Sequence, residues 1–103
     1  MANACVDSTI QVGNVVRATG AFTNALDDFN PIDPSLVYCT VFEPDGTETT
    51  YQWGTDPQVQ KTSIGVYFIE QLVNAAGTWF FKWHSDGNVI CASEDSLRVL
   101  STQ

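Results

Sequence analysis

Reactive side chains are few in this chain, and they stand far apart. The single histidine, His84, precedes Cys91 by one turn of chain, Ser85-Asp86-Gly87-Asn88, and this is the one place where an imidazole base could meet a thiol nucleophile. Strand alternation sets His84 outward and Cys91 inward, which separates the two groups. There is no glycine-rich phosphate loop and no H-E-x-x-H pair. The sequence is therefore read as non-enzymatic, and it calls for no cofactor. Asp27, Asp28, Asn30 and Asp33 gather oxygen ligands of the kind that hold Ca²⁺, but their spacing is not that of an EF-hand loop. They are read as a solvated acidic loop, with no metal expected. Cys5, Cys39 and Cys91 include no C-x-x-C spacing, which excludes a metal ribbon. Cys39 and Cys91 fall in apolar runs and read as small buried hydrophobes, a bridge between them being the alternative.

The remaining chemistry is that of contact. Trp53 and Tyr51 could offer aromatic platforms for a sugar ring if they face outward beside a cleft. Tyr38, Phe42, Phe80 and Ile90 fall on the side that alternation assigns to water, and Leu36 joins them. Neighbouring strands would collect these into a patch, the usual mark of an interface.

Strands must position these residues. In residues 15 to 23, Val16, Ala18, Gly20 and Phe22 share one side, and Arg17, Thr19 and Thr23 the other. Residues 24 to 35 carry two prolines and three aspartates without either period and read as a long loop. Leu36 to Phe42 alternates again and stops at Glu43-Pro44-Asp45-Gly46, a turn that leads into Thr47 to Trp53. A short extended piece at Val59 to Lys61 follows. The segment from Ile64 to Val73 is β-branched and aromatic, so it is read as a strand in preference to a helix over residues 68 to 76. Thr78 to His84 sets Trp79, Phe81 and Trp83 on one side and turns at Ser85 to Asn88 into Val89 to Ala92. After a polar break at Ser93 to Ser96, Leu97 to Leu100 forms a last strand.

Seven or eight short strands in 103 residues, with no crossover helix, indicate an all-β antiparallel sandwich. Its core is expected from Val16, Ala18, Phe22, Val37, Cys39, Val41, Tyr67, Ile69, Trp79, Phe81, Trp83, Cys91, Leu97 and Val99. Residues 1–8 are read as an N-terminal arm that could add to a neighbour's sheet edge, and residues 9–103 as the domain. Twelve acidic residues against four basic ones give a formal charge of −8, which disfavours nucleic acid as a partner. No apolar run approaches a membrane span, and the start lacks the basic and apolar regions of a secretory signal, so synthesis in the cytoplasm and no membrane partner are expected.

Four motifs recur in order: Cys39-Thr-Val-Phe-Glu-Pro-Asp-Gly46, Gly65-Val-Tyr67, Ala76-Gly-Thr-Trp-Phe-Phe-Lys-Trp83 and a closing Leu97-Arg-Val99, with Gly87-Asn-Val-Ile-Cys-Ala-Ser-Glu94 before the last. In these the chain resembles a group of small immunoglobulin-like proteins of tailed bacteriophages and prophages, over most of residues 9 to 100. The motifs are turn and core positions and carry over no functional residue. The resemblance implies an immunoglobulin-like sandwich with a structural role on the outer surface of the virion. Such a role could be capsid decoration (cement) or service as a neck or tail accessory, with the major capsid protein or other virion proteins, or further copies of the chain, as partners. A carbohydrate- or receptor-binding module is the alternative from another class.

Overall fold

The structure is a computed structural model that describes residues 6–11, 15–24, 30–73, 75–87 and 91–99. Among these residues there is no helix, and nine strands follow in chain order: β1 (Val6–Gln11), β2 (Val15–Asn24), β3 (Asn30–Pro31), β4 (Leu36–Phe42), β5 (Glu48–Gln52), β6 (Gln60–Ser63), β7 (Val66–Leu72), β8 (Gly77–Asp86) and β9 (Ala92–Val99). They form two antiparallel sheets, one ordered β1-β2-β7-β6 with β3 paired to β2, the other β5-β4-β8-β9. With the two-residue β3 set aside, each sheet has four antiparallel strands, and the two pack as a β-sandwich.

Two-residue periodicity explains why these segments pair and stack. Most alternate side chains of β2, β4, β7 and β8 are apolar and point between the sheets, where Val16, Phe22, Val37, Val41, Tyr67, Ile69, Trp79, Phe81 and Trp83 are all at most 2% exposed. The expected core is buried except for Cys91, Leu97 and Val99, which pack against it half-covered. The ring edge of Phe22 meets Tyr67 across neighbouring strands at 5.8 Å between centroids. Trp83 crosses from the opposite sheet to lie over Gly20, where a Cβ would stand 2.6 Å from the indole Cδ2. Removing each large side chain from water contributes about 1.5–3 kcal/mol, which is why aromatic β8, paired on both sides, forms the centre of its sheet.

The structure departs from the sequence reading in several places. Ser93 to Ser96 does not break the chain; it is the interior of β9, paired to Phe80 through Trp83. An edge strand can carry polar residues on both sides because its outward groups stay hydrated, so local polarity misrepresents it. Val6–Gln11 is zipped along β2 from Val6↔Phe22 to Gln11↔Arg17, so Val6 to Ser8 of the expected arm belong to a strand of the chain's own sheet. Val59, which flanking glutamines hide from any periodicity, joins the core, its N–H donating to the Asp56 carbonyl at 3.2 Å. Within the expected loop, Asn30 and Pro31 pair with Asn24 and Thr23. Cys91 is disulfide-bonded, where a buried thiol was expected; Cys39 is free and buried.

Candidate interaction surface

Register places the outward side chains of β5-β4-β8-β9 in rows. Phe42 stands directly opposite Phe80, with Glu48 and Ser96 flanking them on the outer strands. Two residues along, Thr40 stands opposite Lys82, between Thr50 and Glu94. In the next row Tyr38 stacks on His84, ring centroids 4.9 Å apart and planes 16° from parallel. Leu36, opposite Asp86, ends the face. Phe80 is 38% and Leu36 37% exposed, while Tyr38 and Phe42 are half-buried. Ile90 lies outside the described residues.

The expected patch is thus two apolar spots, Phe42 with Phe80 and Tyr38 with His84, divided by the polar Thr40–Lys82 row. The Thr40 hydroxyl is 2.9 Å from that of Thr50 and 3.4 Å from His84 Nε2, and it is nearly buried. Burial, and to a lesser degree Lys82, hold the His84 imidazole below its usual pKa, partly opposed by Asp86. His84 is therefore a neutral stacking group near pH 7. Neither described thiol supplies a nucleophile: desolvation pushes Cys39 up to about 12, and the Cys91 sulfur is in a disulfide.

Asp33 has a structural task that the sequence did not announce. Its Oδ1 accepts the Gly65 N–H at 2.7 Å and the Tyr67 hydroxyl at 3.2 Å, and its Oδ2 accepts Lys61 Nζ at 2.8 Å. The Lys61 hydrogen bond leads the causes that hold this carboxyl below its ordinary pKa, with Gly65 and Tyr67 adding to it against some desolvation. Tyr67 is pushed the other way, to about 12, by burial and by the Asp33 charge, so its hydroxyl stays protonated and donates. Gly65 fits here because its φ is +76° and a Cβ would lie 2.6 Å from the Phe22 carbonyl oxygen. This binds the segment before β4 to the β6–β7 hairpin. It also occupies one of the four loop residues weighed for calcium; Asn30 is in β3, and Asp27 and Asp28 lie outside the described residues. No group of three or more metal-ligating side chains occurs among the described residues.

Trp53 follows β5, is 39% exposed, and rests its ring against Tyr67 at 5.7 Å in an edge-to-face contact. Tyr51 instead packs half-buried on the core. A depression of about 300 Å³ opens beside Trp53 over the turn that runs to Gln60. Three further exposed apolar residues were not singled out by the sequence: Ile64 at the β6–β7 turn, and Val15 with Leu72, which face each other across β2 and β7. Comparison with known proteins finds no matching family model, no matching curated protein and no matching solved structure.

Proposed function

We propose that this chain is a non-enzymatic structural protein of a tailed-phage virion, docking on the outer capsid surface through the outward face of β5-β4-β8-β9 and stabilising the shell by bridging subunits. The observation that carries the docking face is the Phe42–Phe80 pair, two aromatic rings side by side on the two central strands, with Phe80 more than a third exposed. Aromatic anchors of this kind, ringed by polar groups such as Glu48, Thr50, Lys82 and Glu94, supply most of the energy of typical interfaces. The phage assignment rests on the motif resemblance, whose members fall at the β4–β5 turn, the start of β7, along β8 and at the end of β9. The acidic balance of the chain suits the outside of a particle whose contents are polyanionic.

Purified protein added to capsids that lack it is the test. Binding at a lattice stoichiometry, lost in Phe80→Asp, is the expected result. Binding at a single vertex would transfer the chain to the neck or tail. No binding to any virion particle would refute the structural role.

A further inference from the structure

Of three tryptophans, Trp79 and Trp83 are fully buried and Trp53 alone presents ring surface to solvent. Trp53 is also held still. Its backbone N–H donates to the Val37 carbonyl at 3.0 Å, and its ring leans on Tyr67, which Asp33 anchors in turn. The turn after it is closed by its own hydrogen bonds: Thr55 and Asp56 N–H donate to the Gln52 carbonyl at 3.2 and 2.9 Å, and Asp56 Oδ2 accepts the Gln52 N–H at 2.9 Å. A platform already ordered in the free protein loses little entropy when a ligand lies on it.

The depression beside this platform does not stand alone. A second, of about 350 Å³, shares Pro57 and Gln60 with it and continues to Arg17, Phe68 and Glu70 on the outer face of the other sheet. At its far end the Arg17 guanidinium lies 4.1 Å from the Phe68 ring centre and pairs with Glu70 at 3.0 Å, so the one cation there is already neutralised. Together the two adjoining depressions present one bare indole, the Thr55 hydroxyl, the Asp56 carboxylate and the Gln60 amide, whose Nε2 donates to the Pro57 carbonyl at 2.6 Å.

We infer that this groove binds a neutral oligosaccharide, one pyranose ring stacking its C–H face on the Trp53 indole and the next lying over Pro57 and Gln60 toward Phe68. Sugars fit because they combine an apolar ring face with a rim of hydroxyls, the same pairing that the groove offers. Polyanionic glycans are disfavoured by the charge of −8. A polyproline segment is disfavoured because its usual grooves have several aromatic walls, and this one has a single exposed indole bordered by polar groups. The site lies apart from the Phe42–Phe80 face, so its fate is independent of capsid docking.

The test follows the three indole N–H resonances of the full-length ¹⁵N-labelled chain during titration with cellohexaose, maltohexaose, laminarihexaose and chitohexaose, and with a heparin hexasaccharide and a decaproline peptide as counter-probes. The expected result is movement of the Trp53 resonance alone with at least one neutral saccharide, with a dissociation constant on the order of 1 mM or below. Trp53→Ala should weaken that binding by about tenfold or more. Because Trp53 also covers Tyr67, Gln60→Ala serves as the second variant: it should weaken binding several-fold with an unchanged melting curve. The inference is overturned by no Trp53 shift with any neutral saccharide at about 10 mM, by a shift confined to heparin or decaproline, or by undiminished binding in both variants.

Discussion

Replacing Asp33 with alanine removes its hydrogen bonds to Gly65, Tyr67 and Lys61 at once, and their environments set different magnitudes. The Gly65 N–H is buried and would be left without its acceptor, a loss of about 1–3 kcal/mol. Freeing the Tyr67 hydroxyl costs about 0.5–1.5 kcal/mol. The Lys61 pair, with side chains 30% and 39% exposed, is screened by solvent and adds at most about 1 kcal/mol. Asp33→Ala should therefore destabilise the domain by about 2–4 kcal/mol, a large share of the roughly 5–15 kcal/mol typical of a domain. Its melting temperature should fall by about 10–20 °C. Asp33→Asn keeps an oxygen for Gly65 and Tyr67 and should cost about 1 kcal/mol.

Urea titration read by the emission of buried Trp79 and Trp83 measures these differences. Acid adds a second readout. The folded pKa of Asp33 lies below its unfolded value, so its charge contributes stability above about pH 4 and loses it as pH falls through the folded pKa. The gap between wild type and Asp33→Asn should therefore narrow on acidification below about pH 4. An Asp33→Ala variant within about 0.5 kcal/mol of wild type at neutral pH would refute the junction described for Gly65, as would a pH-independent gap to Asp33→Asn.

Phe80→Asp should leave the domain folded, at a cost of about 1–2 kcal/mol, while abolishing capsid binding, whereas Trp79→Ala should cost about 3–5 kcal/mol by emptying the core; calorimetry and capsid sedimentation separate the two. Gly20→Ala drives a Cβ into the Trp83 indole and should destabilise by about 1–3 kcal/mol in urea despite the better strand propensity of alanine. Cys39, buried and with its thiol pushed to about 12, should resist an aromatic disulfide reagent in native buffer and react at once in denaturant; prompt native reaction would contradict its burial.

Alternation along β2, β4, β7 and β8 made most of the core and both faces of the central strands legible in the sequence, since inward and outward positions differ by one residue whatever the strand pairs with. The same reasoning picked Leu36, Tyr38, Phe42 and Phe80 as outward, and they are so placed. It failed at β9, whose polar stretch it took for a loop, because edge position is a property of the sheet and leaves no local period. It also could not see that the Thr40–Lys82 row divides the aromatic spots, since cross-strand neighbours follow from register.

The sequence by itself determined a two-layer β-sandwich and the inward side of its central strands, because hydrophobic alternation and turn chemistry act over a few residues. Only the tertiary structure decided the partners of Asp33, which lie 28 to 34 residues away, and the two depressions that meet at Pro57 and Gln60 between Trp53 and Arg17. Those depend on which strands lie side by side and in what register, and closing long loops brings together residues that no short window of sequence contains.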